Sequence, residues 1–130
     1  MAAEQLPGLT LDAGALIAVE RGLEGVRSLL DAALSDGRAV HVPPGVLAQV
    51  WRGGSRQARL AAFVGQPELT LLDLDPMTAK AIGLLLGISG HSDVVDAHVA
   101  LHARLHDHIV ITSDPDDMRT LDPTLTLIEV

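Results

Sequence analysis

Acidic side chains occur at three places in the sequence where a fold can bring them together. Asp12 directly follows a short apolar run. Asp93 and Asp96 open a helix-forming segment, and their i, i+3 spacing places both on one helical face. Asp114 and Asp117 follow a second apolar run. Carboxylates this close oppose folding unless a cation neutralises them, and oxygen ligands without cysteine favour Mg²⁺ or Mn²⁺. The pattern therefore indicates a candidate metal site.

Each of these acids also has a structural interpretation. Asp93 can cap the helix that follows it, because acids are favoured in a first helical turn. Asp114 precedes a proline and can be a helix cap or a turn residue, and Asp116 is expected to be solvated. Apolar residues flank Asp12 and Asp96, so a purely structural role fits these two less well.

Short β-rich runs alternate with longer helix-forming runs along the chain. We predict strands at residues 9–12, 39–42, 69–74, 109–112 and 125–130. We predict helices at about residues 13–21, 24–35, 44–51, 56–64, 76–86 and 92–106. This alternation favours an α/β fold with a mostly parallel sheet that helices cover on both faces. Ligands of such sheets bind at the carboxyl ends of the strands, where Asp12 and Asp114 are predicted to lie.

Length and composition indicate one soluble-type domain. A chain of 130 residues suits a single core, and an apolar content of 48% argues against disorder. The absence of cysteine excludes disulfides and thiolate metal sites. No apolar run approaches the roughly 20 residues that cross a bilayer, and residues 1–5 show no basic start of a signal peptide. We therefore expect a cytoplasmic protein without membrane contact.

The net charge of −8 argues against a polybasic binder of nucleic acid. Six of the 17 acids, however, are the five candidate ligands and Asp116. Without these six, 11 acidic and 9 basic residues remain, which gives a net charge of −2. One or two divalent ions in such a cleft attract phosphate. The acidity is thus better interpreted as a requirement for metal than as an argument against a nucleic-acid ligand.

Three segments carry the acids in a fixed order. They are Leu-Asp-Ala-Gly-Ala-Leu-Ile-Ala at residues 11–18, Val-Asp-Ala-His-Val-Ala at residues 95–100 and Ile-Thr-Ser-Asp-Pro-Asp-Asp-Met at residues 111–118. Together they resemble the motifs of PIN-domain nucleases, specifically the VapC-like toxins of prokaryotic toxin–antitoxin pairs. In this resemblance Asp12 matches the first metal-binding acid and Asp96 the main second ligand. Asp114 matches the fourth acidic position, and Asp117 matches the trailing Asp of the late segment.

The resemblance implies a single PIN-like domain over residues 1–130, a three-layer sandwich with a mostly parallel central sheet flanked by helices. It also implies a Mg²⁺-dependent endoribonuclease, with Mn²⁺ as a possible substitute. Mg²⁺ held by Asp12, Asp96 and Asp114 lowers the pKa of a bound water and orients it toward the scissile phosphate. One or two ions are both compatible with the sequence. The implied partners are an RNA substrate, an antitoxin that covers the acidic cleft and a second copy in a homodimer.

One position departs from the family pattern. The helix after the second strand usually carries a Glu, and this sequence has Gln49. An amide lacks the charge of a carboxylate and cannot act as a base. Asp93, one turn before Asp96, is expected to supply the missing charge as a catalytic and metal-binding residue. Gln49 also keeps open an alternative: a catalytically weak or inactive PIN-fold protein that works by binding RNA or a partner protein.

Basic and aromatic residues near Gln49 are candidates for contact with RNA. Arg52 and Arg56, with Arg59, recur at helical spacing and are expected to contact the RNA backbone if the segment stays helical. A solvated helix face is the other interpretation, and Gly53-Gly54 can interrupt the helix. Trp51 is expected in the core or at a dimer contact.

Three histidines form a further stripe, at His98, His102 and His106. Their i, i+4, i+8 spacing suits Zn²⁺ or Ni²⁺. At about 100° per residue, however, the stripe centres about 150° from the face of Asp93 and Asp96. We therefore expect these histidines on the surface or at a subunit contact, apart from the ion of the carboxylates.

Overall fold

A computed structural model describes residues 6–130 as alternating strands and helices. The strands are β1 (Leu9–Leu11), β2 (Val40–Val42), β3 (Thr70–Leu71), β4 (Ile109–Thr112) and β5 (Leu127–Glu129). The helices are α1 (Ala13–Glu20), α2 (Glu24–Ser35), α3 (Pro44–Val50), α4 (Ala58–Val64), α5 (Pro76–Ser89), α6 (Val94–His106) and α7 (Pro115–Leu121). The expectation about a signal peptide falls on residues 1–5, which lie outside the described residues.

The five strands form one parallel sheet in the order β3-β2-β1-β4-β5. The chain moves outward from β1 to β3 and then returns to β4 and β5. Because crossovers between parallel strands are right-handed, α1–α4 cover one face and α5–α7 cover the other. The predicted three-layer α/β sandwich is therefore confirmed. The direction of winding reverses between β1 and β4, and α/β sheets bind ligands at such a switch point.

The centre of the sheet is fully buried. Leu9, Thr10 and Leu11 of β1 have no exposed surface, because β1 lies between two strands and beneath helices on both faces. The edge strand β3 is exposed and has two residues, shorter than the predicted 69–74. Short edge strands limit pairing with other chains.

Helix boundaries follow the predicted pattern with one omission. Helix α7, which begins at Pro115 within the acidic segment, is absent from the predicted elements. Its signals are proline at the first helical position and acids in the first turn. Helix α5 extends past the predicted end to Ser89, where Gly90 adopts a left-handed φ of 74° and ends it. Within the described residues, no helix combines the length and apolar character needed to cross a membrane.

Gly14 allows the start of α1 to approach the loop after β4. A Cβ at this position would overlap the Ser113 side chain and lie 3.0 Å from the Ser113 backbone nitrogen. By contrast, Gly83 in the middle of α5 has open space around it.

We expect opposite effects of alanine at these two glycines. Gly14→Ala forces the α1 and β4 ends apart and lowers the free energy of unfolding by about 1–3 kcal/mol. Gly83→Ala raises it by about 0.5–1 kcal/mol, because glycine disfavours a helix interior. Urea denaturation of the two variants measures both values. Equal stabilisation by the two substitutions would contradict the close contact at Gly14.

Candidate metal centre

Asp12 connects the end of β1 to the start of α1. Its backbone nitrogen donates to Ile111 O at 3.1 Å, and its Oδ1 accepts from Ala15 N at 3.0 Å. The side chain therefore caps α1, and only 5% of the residue is exposed. Burial raises the pKa of Asp12, and hydrogen bonds from Thr112 and neighbouring backbone groups partly oppose that rise. The carboxylate is fixed in place but poorly solvated.

Asp93 and Asp96 meet at the start of α6. Asp93 Oδ1 accepts from Val95 N at 2.8 Å and from Asp96 N at 3.0 Å, so Asp93 caps the helix. The structural interpretation of Asp93 is thus confirmed. Burial, followed by the charge of Asp93, raises the pKa of Asp96 to about 6. The charges of Asp12 and Asp117 add to this rise, whereas His91 opposes it.

Asp114 and Asp117 lie beside the end of β4. Asp114 N donates to Thr112 Oγ1 at 2.8 Å, and its exposed side chain is hydrogen-bonded to Asp117. That bond and the nearby charge raise the pKa of Asp114. Thr112 therefore contacts the acid after β1 and the acid after β4. Asp116 points away, with its side chain 95% exposed and paired with Arg119, as expected for a solvated acid.

At the acidic end of the sheet, the three groups that lie close enough together to hold one ion are His91, Asp96 and Asp117. A potential ligand atom of each lies within 4.8 Å of the others. Asp93 N donates to His91 Nδ1 at 3.1 Å, and His91 Nε2 lies 3.7 Å from Asp117 Oδ1. Sequence reasoning missed His91. Its only signal is its place in the loop two residues before Asp93.

The negative charge of the five candidate acids suits a divalent ion. Among residues 6–130, the ion pairs of arginine involve Asp31, Asp116 and Asp122, and none reaches the five candidate acids. His91 is their one potentially cationic partner in that part of the chain. The structure brings Asp96 and Asp117 into one possible ligand group, with His91 as its third member rather than Asp12 or Asp114. The full predicted ligand set stays a prediction.

Comparison with known proteins identifies the family. The sequence matches the PIN domain family over residues 9–122. The chain belongs to this family. No curated protein matches the PIN domain described here.

Solved structures share the fold of this PIN domain. A chain of VapBC2 from Rickettsia felis bound to a promoter DNA fragment is 17% identical, with a TM-score of 0.73 over 94% of this chain and 98% of that one. A chain of DNA-bound VapBC from Salmonella typhimurium is 19% identical, with a TM-score of 0.70 over 95% and 98%. A chain of FitAcB from Neisseria gonorrhoeae is 18% identical, with a TM-score of 0.59 over 93% and 96%. At these identities the likeness establishes the fold.

Gln49 is exposed on α3. Gly45, one turn earlier, packs so closely on α6 that a Cβ would lie 2.9 Å from Val95 Cγ2. Helix α3 therefore begins beside the start of α6. Whether Gln49 itself contributes to the centre stays a prediction.

The predicted arginine stripe does not form. Gln57 Oε1 accepts from Arg52 N at 2.7 Å and from Gly53 N at 2.9 Å, which fixes a non-helical link after α3. Gly53 and Gly54 in this link have φ values of 76° and 87°. Arg56 lies in the 3₁₀ turn Ser55–Gln57, off the axis of α3.

Two neighbouring predictions are also corrected. Trp51 is 41% exposed, so its placement in the core is wrong, whereas its placement at a dimer contact stays a prediction. The surface prediction is wrong for His98, which is 4% exposed, and for half-buried His102, because α6 packs between the sheet and α5. His106 is exposed as predicted.

We expect divalent ions to stabilise the PIN domain in a pH-dependent way. The pKa of Asp96 is higher in the folded than in the unfolded chain, so the metal-free protein loses stability as pH rises from about 4 to about 6. Mn²⁺ bound at the acidic centre offsets the negative charge of Asp96 and its neighbours. It should raise the Tm by several degrees near pH 7.5 and by less near pH 5.5, where protons compete.

The matched variants are Asp96→Asn and Asp116→Asn. Asp96→Asn should raise the Tm without metal and remove the increase with Mn²⁺, whereas Asp116→Asn should respond as the unchanged chain does. Scanning calorimetry measures each Tm. An undiminished response of Asp96→Asn to Mn²⁺ would place the ion elsewhere.

Proposed function

We propose that this PIN domain is a Mg²⁺-dependent endoribonuclease, the toxin component of a toxin–antitoxin pair, with Mn²⁺ as a possible substitute. The observation that carries the proposal is the set of acids at the switch point between β1 and β4. They have no arginine or lysine partner among the described residues. A structural cluster of carboxylates is normally paired with bases, whereas a metal site uses the ion as the counter-charge.

Asp96 is the central ligand in this proposal. Potential ligand atoms of Asp96, Asp117 and His91 lie within 4.8 Å of one another. The charges of Asp93 and Asp12 contribute to the raised pKa of Asp96. A divalent ion bound there supplies positive charge that activates water and offsets charge on the phosphate. Asp12 contributes a buried oxygen at the end of β1, and Asp114 contributes an exposed one on the side open to substrate.

The remaining residues hold these ligands in place. The backbone of α6 fixes one Asp93 oxygen, so that carboxylate adds charge beside Asp96 without freedom to swing away. Asp93 N in turn holds the His91 ring through Nδ1. Because Nδ1 accepts that hydrogen bond, the neutral ring carries its proton on Nε2, which lies 3.7 Å from Asp117 Oδ1. Such outer contacts orient metal ligands before an ion arrives.

Contacts with the RNA backbone remain a proposal for Arg52 and Arg56. The Arg52 guanidinium donates to Trp51 O at 2.7 Å and to Ala48 O at 3.3 Å, so it caps the end of α3. It is exposed there, on the same helix as Gln49. An exposed guanidinium can exchange backbone carbonyls for phosphate oxygens, which bind it more strongly.

The proposed partners follow from the family and the fold. The similar chains come from VapBC and FitAcB, which supports an antitoxin for this chain. We propose that an antitoxin segment covers the acidic cleft with an arginine or lysine. The homodimer also stays a prediction. Met77, Leu84 and Ile88 lie on one face of α5 and are 82%, 71% and 85% exposed. They form an apolar surface that a second copy can cover. An RNA substrate implies a cytoplasmic location.

Substitution of the proposed ligands should abolish cleavage without unfolding the chain. Asp12→Asn and Asp96→Asn each remove a charge that the ion needs, so Mg²⁺-dependent cleavage of a mixed RNA pool should fall at least about 100-fold. Asp116→Asn is the control and should cleave normally. Sequencing of the RNA ends gives both the rate and the cleaved site, and circular dichroism checks folding. Full activity of Asp12→Asn or Asp96→Asn would refute the assignment.

Gln49 tests how strongly this PIN domain departs from the family pattern. If the amide weakens metal binding, cleavage should recover at higher Mg²⁺, and Gln49→Glu should lower the Mg²⁺ concentration needed for half-maximal activity. Gln66→Glu, elsewhere on the surface, is a control for added charge. An unchanged requirement in Gln49→Glu would remove Gln49 from the site. Absence of both Mn²⁺ binding and cleavage in the unchanged chain would favour the binding protein instead.

A further inference from the structure

Four histidines gather at the end of α6 that lies far from Asp96. His41 is in the middle of β2, His102 and His106 occupy the last two turns of α6, and His108 immediately precedes β4. Their ring centroids are between 4.1 and 6.0 Å apart. The sequence stripe of His98, His102 and His106 did not indicate this group, because two of its members come from other elements.

The spacing of the rings suits a tetrahedral ion. Four imidazoles around Zn²⁺ at about 2.0–2.1 Å have ligand nitrogens about 3.3 Å apart and ring centres about 5 Å apart. His41 Nδ1 and His102 Nε2 are 2.8 Å apart. One nitrogen from each of His41, His102 and His108 lies within 4.8 Å of the others. The spacing of these nitrogens and rings is therefore compatible with a tetrahedral coordination shell.

The fold holds one of these rings, that of His108, from behind. Thr10 Oγ1 is hydrogen-bonded to His108 Nδ1 at 2.9 Å, and Thr10 is the neighbour of His41 in the sheet register. Gly8 leaves room for the His108 ring, since a Cβ there would lie 2.5 Å from Nε2 and 2.9 Å from the Ala39 Cβ. A ligand histidine anchored through one nitrogen is the usual arrangement in metal sites.

Three of the four rings, those of His41, His102 and His108, have lowered pKa values. Burial, with smaller contributions from the neighbouring histidines, lowers the pKa of His102 to about 3 and of His108 to about 4, and it also lowers that of His41. Neutral imidazoles offer lone pairs to an ion. Nitrogen donors without a carboxylate favour Zn²⁺ over the Mg²⁺ expected at the acids.

We propose that His41, His102 and His108 bind a Zn²⁺ ion, with His106 as the fourth ligand, at the opposite end of α6 from the acidic centre. The ion would tie β2 to α6 and to the entry of β4. This site is independent of the proposed ribonuclease activity, because it shares no residue with the acidic centre.

The test compares matched histidine variants of the full chain without a polyhistidine tag. His102→Gln and His41→Gln each remove one proposed ligand, whereas His91→Gln removes the histidine of the acidic centre. Co²⁺ is the spectroscopic probe, because tetrahedral Co²⁺ absorbs visible light far more strongly than octahedral Co²⁺. Zn²⁺ affinity is measured by calorimetric titration in an Asp96→Asn background, which disables the acidic centre.

In the Asp96→Asn background we expect tetrahedral Co²⁺ absorption and one tightly bound Zn²⁺ per chain, both without a further change and with His91→Gln. His102→Gln and His41→Gln should weaken Zn²⁺ binding by more than about 100-fold, since changes outside the ligand shell alone cost about 10–100-fold. The two variants are measured separately, and circular dichroism shows that the variant used for the conclusion is folded. A folded His102→Gln or His41→Gln variant that keeps tetrahedral Co²⁺ absorption, or a chain with all four histidines that lacks it, overturns the proposal.

Discussion

Repulsion between carboxylates at the carboxyl edge of the sheet is the constraint on which the rest of the structure depends. The fold collects these charges by ending β1 and β4 side by side and by starting α6 beside them. Hydrogen bonds hold the acids in place without neutralising them: Ala15 N for Asp12, and Val95 N and Asp96 N for Asp93. The arrangement is stable as a whole only if hydrophobic burial elsewhere offsets the repulsion or a cation removes it.

The sequence was most informative where local pattern and global fold agree. Alternating strands and helices predicted the parallel sheet, and the rule that ligands bind at strand ends selected Asp12 and Asp114. Helix α2 was predicted without error because its apolar spacing and Gly37 are both clear local signals. Helix α7 was missed because its start coincides with the acidic cluster, so the same residues were interpreted as ligands and turn.

What the sequence could not give are contacts between residues far apart in the chain. His91 joins the acidic group through Asp117, which lies on another element. The histidine group needs His41 from β2 to meet His102 from α6, and no spacing rule relates these positions. Likewise the predicted arginine stripe was wrong because Gln57 accepts hydrogen bonds from Arg52 N and Gly53 N and so fixes a non-helical link after α3.

Helix α6 connects these features through its own direction. Its first turn contains Asp96, and its last turns contain His102 and His106. The aligned peptide dipoles of a helix leave about half a positive charge at the amino end and about half a negative charge at the carboxyl end. The amino end therefore lowers the electrostatic cost of crowding acids there, while the carboxyl end attracts a cation. Helix α6 is about 20 Å long. The end that carries Asp96 thus tolerates anions, and the end that carries His102 and His106 attracts cations.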